Sequence, residues 1–235
     1  MAHSIFSFRS SGGIRDTATW QVTYSSLLTA VLAFFILLII QAENEVASTY
    51  RFADRLKSKM FKEIVREKTA RNLDWLYVEN TGTKGIRLLV PTQVEDQVLF
   101  QTGDDQIESA FFPYLQHLSS IINGLEINRI YTDYSGTIGH LRSLGKDIIV
   151  QVRIEGHSDR RPIRTARFSD NWELSTARAS RVMEYLELTT NLPADYFALA
   201  GYGSFHPFRS VNNLDENRRV EIYLDIQMVE KNGTI

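Results

Sequence analysis

Two ionisable side chains stand in the most specific strings of the sequence. Asp159 closes Gly156-His157-Ser158-Asp159, and Arg178 sits inside Leu174-Ser175-Thr176-Ala177-Arg178-Ala179. A carboxylate accepts from an ammonium, and a guanidinium offers a planar fork that matches a carboxylate. Side chains of these types suit holding a ligand rather than cleaving a bond, and no nucleophile–base pair accompanies them. Plainer roles stay open: Asp159 as the cap of a turn or of the next helix, Arg178 as half of a helix-surface ion pair. His157 has no second His or Cys at metal spacing near it and reads as a packed loop residue, so no metal site is expected. Arg219 reads as a fold-stabilising arginine. Gly201-Tyr202-Gly203 is a turn too short for a phosphate loop. A second chemical group lies near the start of the chain, where Tyr24, Ser25, Ser26 and Thr29 place hydroxyls in an apolar run. Such hydroxyls either pack helix against helix or line an ion path.

The elements that must position these groups follow from periodicity. No charged residue occurs between Asp16 and Glu43, and apolar density peaks over 27–40. Extended to 20–42, this stretch is long enough for a membrane-spanning helix, with Trp20 and Tyr24 at one interface and Gln41, Glu43, Asn44 and Glu45 at the other. The run is long for a signal peptide, and no small-x-small cleavage site follows it. Arg9 and Arg15 precede it and Arg51, Arg55, Lys57 and Lys59 follow, so charge alone does not orient the helix.

Residues 43–68 read as a connecting helix. Val46, Ala53 and Met60 recur at heptad spacing, with Leu56 and Ile64 beside them. This pattern fits either a parallel dimer or an amphipathic helix lying on the domain that follows. Asn80, Thr81, Gly82, Thr83 and Gly85 form a loop. From there the chain reads strand, helix, strand, helix, strand, with the last two strands at 147–155 and 220–226 and helices over 107–124 and 172–188. The fold class is α+β: one N-terminal transmembrane helix, a helical connector and a βαβαβ-type sandwich with one helical face. The expected segments are a tail (1–19), the membrane helix (20–42), the connector (43–83), the sheet domain (84–228) and a short tail (229–235).

Bulk numbers narrow the function. The 235 residues are 43% hydrophobic and 23% charged, with a net charge of -2 and no cysteine. A near-neutral chain argues against a sequence-independent nucleic-acid binder, which needs a basic face to neutralise phosphates. Without cysteine there are no disulfides, thiolate metal sites, thiol nucleophiles or lipid-modified cysteine. The loop over 160–170 is locally basic through Arg160, Arg161, Arg164 and Arg167, a solvated loop or a surface suited to an anionic polymer.

Two resemblances carry the functional expectation. The ordered set Gly156-His157-Ser158-Asp159, Asn171, Leu174 to Ala179, Gly201-Tyr202-Gly203, Pro207, Asn212 and Asn217-Arg218-Arg219-Val220-Glu221 resembles the OmpA-like peptidoglycan-binding domain over roughly 85–225. That resemblance implies a groove for the diaminopimelate of a stem peptide. Asp159 would meet its ammonium and Arg178 its carboxylate, with Asn171, Leu174, Asn217 and Arg218 lining the same groove. The stretch from Trp20 through Tyr24, Thr29-Ala30 and Ala33-Phe34-Phe35 is similar to the membrane helix of MotB-type stator subunits. In that family an ion-carrying aspartate stands at the register position of Ser26. A serine hydroxyl does not titrate near neutral pH and cannot replace it.

Together the resemblances imply a peptidoglycan-anchored, stator-type subunit of an ion-driven inner-membrane motor, flagellar or stator-like. Two copies would work with a MotA-like polytopic partner. The connector would form a dimer or a plug, the N-terminus would be cytoplasmic and the C-terminal domain periplasmic. The ion path would pass Tyr24, Ser26 and Thr29. A passive tether from inner membrane to wall is the alternative. No enzyme activity, cofactor or nucleic-acid partner is expected.

Overall fold

The computed structural model describes residues 13–208 and 214–230, with side chains described over 20–40, 51–208 and 216–230. Readings that rest on the side chains of Arg9, Arg15, Gln41, Glu43, Asn44, Glu45, Val46 or Asn212, or on the chain ends, lie outside the described residues. The chain divides into two compact units, Met1–Tyr50 and Arg51–Ile235.

Helix α1 (Gly13–Ala70) begins before the expected membrane span and does not break after it. No glycine or proline interrupts residues 14–70, so nothing in the backbone stops it. Within the first unit, Trp20–Ile40 is 21 residues long with mean hydropathy 2.3 and none of it buried. At about 1.5 Å per residue it matches a hydrocarbon core of roughly 30 Å. It is one helix long and apolar enough to cross a membrane.

In the second unit, the final turns of α1 belong to the core. Phe52, Ala53, Leu56, Met60 and Ile64 are all buried in the same apolar cluster as the sheet. Their spacing gives one apolar stripe on a helix, and the domain itself covers that stripe. The expected boundary at residue 84 therefore does not mark where packing begins. Leu73 and Leu76 continue the core into β1 (Tyr77–Asn80), which pairs antiparallel with β2 (Ile86–Pro91). The glycine-rich loop at 80–85 is thus a hairpin. Gly85 has φ +90°, and a Cβ there would meet the Leu224 carbonyl oxygen at 2.5 Å.

A small hairpin follows, β3 (Gln93–Val94) with β4 (Gln97–Val98). Helix α2 (Phe112–Gly124) starts five residues later than the expected 107, with Pro113 in its first turn, where a missing N–H costs nothing. Short helices α3 (Ile130–Asp133) and α4 (Ser135–Ser143) lead to β5 (Lys146–His157). Then come α5 (Asn171–Thr189), β6 (Phe197–Gly201), α6 (Leu214–Asn217) and β7 (Arg219–Glu230). The sheet order is β1-β2-β7-β5-β6, antiparallel except for the parallel β5–β6 pair.

The architecture is α+β, as expected, but the sheet has two more strands than the periodicity gave. Alternation sends Val152 and Ile154 of β5 and Val220, Ile222, Leu224 and Ile226 of β7 into the apolar core. The intervening residues, Glu155, His157, Arg219, Glu221, Tyr223 and Asp225, form a second, polar layer that is also buried.

Candidate functional site

The site is built where β5 and β6 end beside the first turns of α5. Asp170 caps α5, accepting from the N–H groups of Trp172 and Glu173 at 2.9 Å each. A Cβ on Gly156 would lie 1.9 Å from the Ser175 carbonyl oxygen, and one on Gly201 would lie 1.8 Å from Thr176 Oγ1. Only glycine lets the helix sit this close to both strands. The strand ends are then tied together. Tyr202 N–H donates to the Gly156 carbonyl (2.9 Å), Ser158 N–H to the Gly203 carbonyl (2.8 Å), and Gly203 N–H to Ser175 Oγ (2.9 Å).

This scaffold fixes the 159–161 loop. Asn171 Nδ2 donates to the carbonyls of Asp159 (3.1 Å) and Arg161 (2.8 Å). Asp159 Oδ1 accepts from Arg161 N–H at 2.9 Å, so the turn-capping role is real. Its Oδ2 takes Arg161 Nη2 at 2.6 Å and Arg218 Nη1 at 3.0 Å. Burial alone would push the Asp159 carboxyl up, but the hydrogen bonds from Arg161 and Arg218 hold it below the usual range.

Arg178 reaches the same cavity from α5. It is 6% exposed. Nε donates to the Asp104 carbonyl at 2.9 Å and Nη2 to the Gln101 carbonyl at 2.8 Å. Its guanidinium lies over the Phe100 ring, 5.0 Å from the centroid. Its partners are carbonyls, not a carboxylate, so it is not a surface ion pair. Burial, followed by the like charge of Arg218, pushes its pKa down to about 10, which leaves it charged at neutral pH.

Asp159, Arg161, Asn171, Leu174, Arg178 and Arg218 thus line one cavity of about 580 Å³, closed opposite by the 100–103 loop after β4 and by Thr92. Of the six residues expected here, Asn217 alone is not on the cavity wall. It is buried, and its Oδ1 accepts from Phe208 N–H at 2.7 Å. Sequence reasoning had no place for the 100–103 wall, whose residues carry no periodic signal. Arg161 and Arg164 were legible only as part of a basic loop.

In the first unit, the hydroxyls turn back on their own helix. Ser26 Oγ donates to the Val22 carbonyl and Thr29 Oγ1 to the Ser25 carbonyl, both at 2.8 Å. With Gln21, Val22, Ala30 and Ala33 they line a shallow groove. Tyr24 stacks on Trp20 instead, 5.7 Å between centroids.

Comparison with known proteins agrees with both halves. The OmpA family model matches residues 128–221, and that for membrane MotB of the proton-channel complex MotA/MotB matches residues 9–60. Each model covers less than half of the chain, and together they make it similar to MotB-type, OmpA-like proteins. The chain is 25% identical to the uncharacterized protein YtxE of Bacillus subtilis (strain 168) over 224 residues, 89% of each chain. It is 29% identical to Motility protein B of the same organism over 134 residues, 56% of this chain and 43% of that one. A crystal structure of a MotB-like protein from Desulfovibrio vulgaris shares its fold, with TM-score 0.55 at 21% identity over 76% of this chain and 99% of that one.

One buried cluster lies apart from the cavity. Alternation along β5 and pairing with β7 bring His157 together with Glu155 and Glu221, ligand atoms within 4.8 Å of one another. Three such residues could hold a cation. Their carboxylates are already engaged: Arg153 Nε donates to Glu155 (2.7 Å), and Arg219 Nε and Tyr223 OH donate to Glu221 (2.5 and 2.6 Å). His157 is the last residue of β5 rather than a loop residue. Its ring stacks on Tyr202 at 5.3 Å, both nitrogens lack hydrogen-bond partners, and burial pushes its pKa down. The geometry is that of an ion-pair layer holding β5 and β7 together.

Proposed function

We propose that this protein is a peptidoglycan-anchored, stator-type subunit, whose membrane helix associates with a polytopic MotA-like partner and whose C-terminal domain lies in the periplasm and grips the cell wall. One observation carries the reading. A buried carboxylate, Asp159, and a buried guanidinium, Arg178, line a single cavity whose loop and helix are the strings that resemble the peptidoglycan-binding family. A stem-peptide diamino acid offers the complementary ammonium and carboxylates. The MotB-type match over 9–60 supports the membrane half, and two copies per complex are part of this proposal. The working segments are the membrane helix at 20–42 and a wall-binding domain that includes the connector from Arg51 onward.

The test is co-sedimentation of a 51–235 fragment with purified sacculi, beside an Arg178→Ala variant shown to be folded by circular dichroism and thermal melting. Loss of sedimentation in the folded variant is expected. Undiminished sedimentation removes Arg178 from the site.

A passive tether is the second reading, and Ser26 favours it. No carboxylate stands between Asp16 and Glu43 to carry a proton. The mass and composition of the full-length complex in mild detergent separate the two. A multi-spanning partner in excess over two copies supports the stator, and a bare monomer or dimer supports the tether.

A further inference from the structure

Resting on the peptidoglycan reading above, we infer that the cavity selects stem peptides by their free carboxylates, taking the free-acid form and rejecting the amidated form. Among the described residues its wall holds one anion, Asp159, and four cations, Arg161, Arg164, Arg178 and Arg218. The anion is already committed, since Arg161 and Arg218 both donate to its Oδ2. Two cations have no carboxylate partner. Arg178 is bonded to carbonyl oxygens only. Arg164 is exposed at the rim and makes no hydrogen bond or ion pair among the described residues.

The charge count sets what the ligand must bring. An ammonium entering at Asp159 has to displace Arg161 from the same oxygen, so it exchanges one cation for another with little gain. A carboxylate meets Arg178 or Arg164 without displacing an anion, and it relieves the mutual repulsion of Arg178 and Arg218. The affinity therefore resides in the carboxylates. A stem peptide with a diamino acid at its third position carries carboxylates on that residue and on the preceding glutamate. Amidation turns each into a neutral amide of the same shape, which keeps the fit and removes the charge. Arg178, inside the cavity, reads one carboxylate, and Arg164, at the rim, reads the second.

The test uses the full-length chain in detergent and two soluble stem tripeptides, identical except that one is amidated at both the glutamate and diamino-acid carboxyls. Calorimetric titration at low salt is expected to show the free acid binding about 10- to 100-fold more tightly, the span set by losing charge-assisted hydrogen bonds. That ratio shrinks in Arg164→Ala, whose exposed side chain has no hydrogen-bond or ion-pair partner among the described residues, and it shrinks again at high salt. Equal affinities, or tighter binding of the amide, overturn the inference while leaving the peptidoglycan reading intact. A ratio unchanged in Arg164→Ala removes Arg164 as the second reader and overturns the two-cation account. Binding of neither peptide by folded protein overturns the peptidoglycan reading itself.

Discussion

Arg161 closes on Asp159 through three contacts: its Nη2 and Nε lie 2.6 and 3.0 Å from Oδ2, and its own N–H donates to Oδ1 at 2.9 Å. The two residues are two positions apart in a loop whose carbonyls at both positions accept from Asn171 Nδ2. The contact holds the Asp159 carboxylate ionised despite its burial.

Arg161→Ala leaves the backbone contact and Arg218 but removes the fork. The Asp159 pKa then rises, because burial is opposed by fewer donors. The sign for stability follows. A carboxyl depressed in the folded state contributes stability that is present above its unfolded value, about 3.9, and is lost as pH falls through the folded value. Wild type and variant should therefore differ in urea midpoint at neutral pH and converge in strong acid. Carboxyl NMR titration of Asp159 checks the pKa directly.

Ile64 is fully buried among the core residues of the sheet domain, although it belongs to the helix leading out of the membrane segment. Ile64→Ala should destabilise a 51–235 fragment by about 2–5 kcal/mol, the range for truncating a buried aliphatic side chain. A fragment starting at residue 84 lacks Phe52, Leu56, Met60 and Ile64 altogether, along with strand β1. It should show no cooperative thermal transition, whereas the 51–235 fragment should. A stable fold from residue 84 onward would show that the helix only leans on the domain.

Much of this was legible in the sequence where a rule acts locally. Strand β7 alternates strictly, α5 keeps helical spacing over 172–188, and the membrane helix is densely apolar, whereas the cap of α5 is Asp170 rather than Asp159. The strand β6, Phe-Ala-Leu-Ala-Gly, was missed because five small or apolar residues beside a short turn carry no period. The connector was ambiguous for a different reason. An apolar stripe says that something covers a helix face, and only the tertiary fold says that the cover is the same chain. The cavity was half legible: Asp159 and Arg178 stand in motif strings, but the wall made by residues 100–103 is recruited over more than fifty positions of sequence and leaves no local mark. Glu155 and Glu221 likewise meet His157 only through the β5–β7 register.

His157 is held below its ordinary pKa by burial, with Glu155, Glu221 and the Arg219 guanidinium facing it. An unfolded histidine takes up its proton near pH 6.5, while the folded one stays neutral to lower pH. The unfolded state thus binds more protons as pH falls below about 6.5, and stability declines over that window. His157→Gln, which keeps the polar shape without titrating, should flatten the slope between roughly pH 6.5 and 5. Chemical denaturation at half-unit pH steps reads this slope independently of any constant change in stability. An unchanged slope assigns it to other groups.

Ser26 donates its hydroxyl to the Val22 carbonyl one turn back, beside Thr29, Ala30 and Ala33 in a strip of small residues. A hydroxyl that donates to its own helix adds no charge and does not titrate near neutral pH, so by itself this strip carries no proton and suits packing. A proton path at this position needs a titratable group. Ser26→Asp supplies one at the register where MotB-type helices carry it. In liposomes holding the full-length chain with its co-purified partner, the substitution should raise proton flux if the partner still forms a channel around this strip. Flux that appears only in Ser26→Asp means that the path is intact and the carrier is missing, as a stator-derived complex without proton coupling requires. Flux absent from both forms, with the complex intact, means that the strip has become packing alone, and the passive tether is then the better account of the chain.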